Sequence, residues 1–210
     1  MTESKFSNRP STNLANLRKQ ASGCTACNLY KHATQTVFGE GPAHARVLMI
    51  GEQPGDQEAR QGHPFVGPAG MLLNKALAAA GMDRKQIYVT NMVKHFKWEP
   101  RGKRRIHKKP TALEISACRP WLDAEMAAVR PQVVVLLGAT AAQSVLGRHF
   151  RATEKRGCWV PSKLAPHVLA TVHPSALLRA PDEKSRHEEF ERFVEDLRQV
   201  AGLIERREAA

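Results

Sequence analysis

The stretch "RVLMIGEQPGDQEARQGHPFVGPAGMLLNKALAAAG", residues 46–81, contains a complete strand, loop and helix unit. Residues 46–52 form a short β-rich apolar run that ends at glycine, and a Gly/Pro-rich loop follows. The helix begins at Pro68, a residue that a first helical turn tolerates. It keeps Leu72, Leu73, Ala76 and Leu77 on one face and meets a stop at Gly81. The same grammar recurs downstream. "QIYVTN" (86–91) reads as the next strand, and Thr111 with Glu114 forms a capping box that opens a helix toward Arg130, with Pro120 marking a kink or restart. "PQVVVLLGATAAQSVLG" runs from a buried strand into a short helix, and "HVLATVHPS" is a last strand ending in a loop. Four strand-then-helix units predict an α/β fold with a parallel sheet. Phe190, Phe193, Leu197, Val200 and Ile204 recur at helical spacing, which predicts a covering helix over 182–204.

The chain of 210 residues is long enough for one sizeable core, so a single domain over 1–210 is expected, with residues 1–20 as a partly flexible N-terminal segment. Thirty-two Lys plus Arg against 20 Asp plus Glu give a net charge of +12, which points to a polyanionic partner. No apolar run is long enough to span a bilayer, and "MTESKFSNRP" has no apolar signal core. A cytoplasmic monomer that does not engage membranes is the expectation. Four cysteines in such a chain are poorly explained by a disulfide framework, leaving metal binding or plain packing. Cys24-x-x-Cys27 has metal-pair spacing, and with Cys118, Cys158 or His95 it offers ligands for zinc or an iron–sulfur cluster, which spacing cannot separate.

In open α/β sheets ligands bind beyond the carboxyl ends of the strands. Here those ends carry Glu52, Gln53, Asp56, Asn91, Thr140, His173 and Ser175. The tract "RGKRRIHKKP" (101–110) follows the second strand, and from Lys94 to Lys109 there are eight basic residues against one acid, Glu99. Lysine and arginine suffice to grip phosphate, whereas His107 adds a nucleophilic nitrogen. Phe65, in a loop between Pro64 and Gly67, is an aromatic free to stack on a base or to fill the loop's own small core. Asn91 can read a base edge or cap a turn. His173 before Pro174 reads as a helix cap, a core histidine or a catalytic group. No Gly-rich phosphate cradle is present.

Taken together, "GEQPGDQEARQGHPFVGPAG", "YVTNMVKH" and "HPSALLR", with "CTAC" upstream and "ACRPWL" between, resemble the uracil-DNA glycosylase superfamily, closest to its iron–sulfur family 4. The match runs in order from about residue 24 to 180. Gln53 and His95 stand where family 4 carries Ala or Gly and a cysteine, and ordinary members lack the "KRRIH" insertion. All three features resemble the UdgX subgroup, which becomes covalently attached to uracil-containing DNA through the loop histidine.

The resemblance implies a three-layer α/β/α sandwich around a short parallel sheet and a [4Fe-4S] cluster on Cys24, Cys27, Cys118 and His95, leaving Cys158 as a spare thiol. It implies that Phe65 stacks on uracil, that Asn91 reads its edge, that His173 contacts the flipped base, and that Glu52 and Asp56 are the acidic pair. Gly55, Gln53 and Ser175 belong to the same substrate-binding motifs, and Lys94, Arg104 and Arg105 are expected on DNA, single-stranded or double-stranded.

Breaking the N-glycosidic bond needs a flipped nucleotide and stabilisation of a cationic sugar and an anionic uracil. His173 and Asn91 suit the uracil oxygens, and Glu52 or Asp56 suits the sugar. At pH 7 imidazole is mostly neutral and nucleophilic while lysine is protonated, so His107 is the expected captor of C1′. Glu52 would orient it or accept its proton, and Gln53 would hold the loop through its amide. The alternatives are a turnover glycosylase releasing free abasic DNA, or a non-catalytic iron–sulfur DNA-binding module.

Overall fold

The computed structural model describes residues 13–152 and 154–206. Its centre is a four-stranded, all-parallel sheet of β1 (Val47–Gly51), β2 (Ile87–Asn91), β5 (Val133–Leu137) and β6 (His167–Thr171), in the order β2-β1-β5-β6. The register aligns Gly51 with Asn91 and Leu137 with Thr171, which brings the carboxyl ends level.

Alternation along each strand sends side chains to two cores. Leu48, Ile50, Tyr88, Val134, Leu136, Val168 and Ala170 pack beneath α1 (Leu14–Ala21), α4 (Ala112–Val129) and α5 (Ala139–Leu146). Val47, Met49, Ile87, Val89, Val133, Val135, Leu137 and Leu169 pack beneath α3 (Pro68–Ala79), α6 (Pro174–Leu177) and α7 (Glu183–Arg206). The chain is therefore an α/β protein in three layers, as the strand-then-helix pattern and the resemblance implied.

Local readings differ from the structure in several places. The loop after β1 contains a short helix, α2 (Asp56–Gln61), whose Glu58 carboxylate accepts from the N–H of the N-cap Gly55. The basic tract is a hairpin instead of a loop: β3 (Trp98–Arg101) pairs antiparallel with β4 (Arg104–His107) around Gly102, whose φ of 59° a tight turn requires. Its charges, Pro100 and lack of apolar alternation hid it from the sequence. α4 runs as one helix through Pro120. Residues 1–12 of the expected flexible segment lie outside the described residues, but residues 14–20 belong to α1, capped by the Asn13 side chain and anchored by buried Leu17 and Ala21. Among the described residues no helix is long and apolar enough to cross a membrane.

Candidate active site

A cavity of about 960 Å³ opens at the carboxyl ends of the strands. Gly51, the last residue of β1, lies next to three of its lining residues: a Cβ there would collide with Asn91 Oδ1 and the Phe65 ring and approach His173 Nε2. Three side chains therefore converge on a point that only glycine leaves open. Asn91, the last residue of β2, is 3% exposed. Phe65 stacks on His173 with ring centroids 6.1 Å apart and an interplanar angle of 29°. Its backbone takes the uncommon φ of 57°, and the close approach of Gly70 on α3 to the Phe65 carbonyl leaves no space for a Cβ. Phe65 is buried at 7%, so it both fills the loop's core and turns its ring to the cavity.

His173 is the N-cap of α6. Its Nδ1 accepts from Ser175 N at 3.2 Å and meets Ser175 Oγ at 2.9 Å. An acceptor at Nδ1 leaves the proton of the neutral ring on Nε2, the nitrogen nearer Gly51. Burial pushes the imidazole down to about 4, against a smaller upward pull from Glu52, so the ring is neutral at pH 7. Ser175 orients this ring, and Arg179 Nη1 donates to its hydroxyl at 3.3 Å.

Glu52 lies between two elements. Its Oε1 is 3.2 Å from His107 Nε2, and it shares a hydrogen bond with Thr140 at the start of α5. Burial raises its carboxyl, but the hydrogen bonds to His107 and Thr140 are the main causes that outweigh this and hold it below the usual range. His107 and Lys109 reach the same cavity, and the His107 side chain is half exposed at the lip.

The hairpin that carries His107 is fastened by Gln53. Its Nε2 donates to the carbonyls of Lys97 (3.2 Å) and Lys108 (3.1 Å), and its Oε1 accepts from Lys97 N (3.0 Å). Gln53 thus satisfies three backbone groups at the hairpin base, and it also lines the cavity. Lys97 Nζ pairs with Glu114 at 2.8 Å, which ties the hairpin to the first turn of α4.

Other expected site residues need correction. Lys94 does not grip phosphate. It is 1% exposed, and its Nζ meets Glu125 Oε2 at 2.5 Å beneath β2, because the turn after Asn91 folds the side chain into the core. Asp56 lines the cavity, but its carboxylate is taken up by Arg60 (2.9 Å) and Arg105, so Glu52 is the acid facing His107. Burial raises Asp56, but the hydrogen bonds and charges of these two arginines together outweigh it and hold the carboxyl below the usual range. Arg105 is committed to Asp56 and Thr34 and lies over the Phe96 and Trp98 rings, where it braces the hairpin. Arg104 is exposed on the hairpin, outside the cavity lining. Gly55 lines the cavity, and its N–H and that of Gly67 both donate to Glu58.

Glu58 and Glu125 were missed by the sequence reading. Each had a signal: Glu58 stands at the third helical position after Gly55, and Glu125 interrupts the apolar stripe of Trp121, Leu122, Met126 and Val129.

Beside the N-terminal half of α4, Cys24, Cys27 and Cys118 are close enough for charge on one thiol to raise another, although burial is the larger cause for Cys27 and for Cys118, which is pushed up to about 11. Two N–H groups aim at sulfur: Trp121 Nε1 at Cys24 and Lys94 N at Cys118, both at 3.2 Å. His95 is buried and its Nε2 meets Thr36 Oγ1 at 2.9 Å. Cys158 is exposed. Among the described residues no group of three His, Cys, Asp or Glu side chains is placed to hold a single metal ion. Three soft sulfurs with N–H donors suit a thiolate-bound cluster, whose cage is wider than one ion.

These features define an α/β protein with a cavity at its strand ends and a basic hairpin beside it. Residues 38–198 match the uracil DNA glycosylase superfamily. A type-4 uracil-DNA glycosylase of Thermotoga maritima is 37% identical over 185 residues, covering 87% of this chain and 90% of that protein. Those of Sulfurisphaera tokodaii and Pyrobaculum aerophilum are each 33% identical, covering 87% and 80% of this chain and 84% and 86% of theirs. The chain belongs to the uracil-DNA glycosylase superfamily.

Proposed function

We propose that this protein excises uracil from DNA and that His107 then captures the sugar. The observation that carries this reading is the placement of His107 Nε2 3.2 Å from Glu52, on the lip of the cavity that also holds Asn91, Phe65 and His173. A flipped uracil stacks on Phe65 and meets the Asn91 amide. The Nε2–H of neutral His173 donates to a uracil oxygen as charge develops there, a contribution of roughly 3 kcal/mol for one preorganised donor. The C1′–N1 bond breaks with its electron pair leaving on uracil, while the ionised Glu52 faces the cationic sugar. The lone pair of the His107 imidazole then bonds to C1′, and Glu52 accepts the ring N–H proton. The resulting C1′–N bond lacks an easy hydrolytic route, so the protein stays on the abasic strand.

Cys24, Cys27 and Cys118, with His95 as the fourth ligand, would hold an iron–sulfur cluster, which would supply a structural cross-link between the N-terminal segment and α4. Exposed Arg101, Lys103 and Arg104 supply the phosphate grip.

A second reading is favoured by the type-4 names of the relatives: a turnover glycosylase in which water reaches C1′. Denaturing electrophoresis after incubation with uracil-containing single-stranded DNA separates the two. A band that survives SDS and heat, and that is absent in His107→Ala, is expected. Free protein with excess abasic product would establish turnover instead.

A further inference from the structure

Resting on that reading, we infer that the buried Lys94–Glu125 pair is a positioning device for Asn91, holding the base-reading amide in register from the far side of β2. Lys94 Nζ donates to Glu125 Oε2 at 2.5 Å, Thr90 Oγ1 at 2.6 Å and the Asn91 carbonyl at 2.8 Å. Glu125 in turn accepts from Gly39 N (2.9 Å), Tyr88 OH (3.0 Å) and Thr90 Oγ1 (2.9 Å). Neither charged side chain is more than 1% exposed.

Every donor of the ammonium and both carboxylate oxygens are thus engaged, and the partners are Tyr88, Thr90 and Asn91 of β2 and Gly39. Asn91 ends the strand, and Lys94 Nζ donates to its carbonyl. With the main chain fixed on one side, the Asn91 side chain is held against Gly51 on the other.

A buried ion pair is a poor source of stability, since well-packed apolar residues of similar volume often do as well or better. Its use here is directional. An apolar replacement leaves the Asn91 carbonyl, Gly39 N–H and Tyr88 hydroxyl without partners, and the strand end relaxes to find others. The same Lys94 donates its main-chain N–H to Cys118, so the strand end and the sulfur cluster of side chains share one anchor.

The test compares Lys94→Met, Thr90→Val and the double variant Lys94→Met/Glu125→Leu, which removes the charge that a single change would leave buried and unpaired. Thermal unfolding checks folding. Affinity and salt dependence are measured on uracil-free single-stranded DNA, and the maximal single-turnover rate of uracil release is measured at saturating protein. Displacing a reacting group by about 1 Å costs on the order of 100-fold in rate. The folded double variant is therefore expected to bind uracil-free DNA as the wild type does, to lose about 100-fold in maximal rate, and to show a reduced preference for uracil over cytosine. Thr90→Val should move the rate in the same direction by less. A folded double variant with the wild-type rate and base preference would overturn the inference. A loss confined to DNA affinity and its salt dependence would make Lys94 a phosphate-binding residue and overturn it equally. Failure of the wild type to release uracil would instead overturn the proposed function.

Discussion

Replacing Gln53 with alanine isolates the fastening of the hairpin from the chemistry of the pocket. The variant loses three hydrogen bonds, at 3.2, 3.1 and 3.0 Å, to Lys97 and Lys108. At about 1 kcal/mol net for each, the docked hairpin loses about 3 kcal/mol relative to an opened one, a shift of about 100-fold in that equilibrium. His107 sits on the strand that this clamp holds, whereas Asn91, Phe65 and His173 are fixed by β2, α3 and α6. The rate of forming the SDS-stable DNA complex should fall by up to about 100-fold, while the single-turnover rate of uracil release falls far less. Hydrogen exchange provides a local check, since the Lys97 and Lys108 amides should exchange faster while those of β1 and β5 do not. An unchanged rate of complex formation alongside accelerated hairpin exchange would refute the claim that hairpin placement governs capture. Equal loss of release and capture would refute the separation of the two roles.

Two further outcomes follow from charge. Because burial holds His173 near 4 and Glu52 lies below its ordinary range, neither group should reduce uracil release between pH 5 and 8, and a fall through His173 should appear only near pH 4. The folded value of His173 lies below its unfolded value of about 6.5, so the unfolded chain takes up the proton first. Thermal stability should fall as pH drops from about 6.5 to 4, and His173→Gln should flatten this part of the profile. On the hairpin, the triple change Arg101→Ala, Lys103→Ala and Arg104→Ala should lower the slope of log affinity against log salt for single-stranded DNA by about 0.7 for each phosphate no longer neutralised. An unchanged slope would place the DNA elsewhere.

Most of the sheet was legible because its strands are continuous apolar runs closed by glycine or polar residues, a pattern that a parallel sheet buried on both faces demands. Periodicity likewise gave the apolar faces of α3 and α7. The hairpin was not legible, since four exposed or half-buried residues per strand carry no alternation to read. Of the expected site, Glu52, Phe65, Asn91, His107 and His173 line one cavity. Lys94 misled because a basic residue beside a basic tract looks like part of it, and nothing local signals that its ammonium meets Glu125, 31 residues later.

By itself, the sequence determined the strand ends and therefore which polar residues must lie near one another: parallel strands in register bring Gly51, Asn91, Leu137 and Thr171 to one edge whatever the loops do. Only the tertiary structure decided what each of those residues does. Whether a carboxylate meets an imidazole or an arginine, and whether a lysine faces DNA or a buried glutamate, depends on side-chain directions and long-range partners that residue type does not encode. The contrasts of Glu52 with Asp56 and of Lys94 with Arg104 were therefore settled by packing, which fixes where each charge can be solvated or paired.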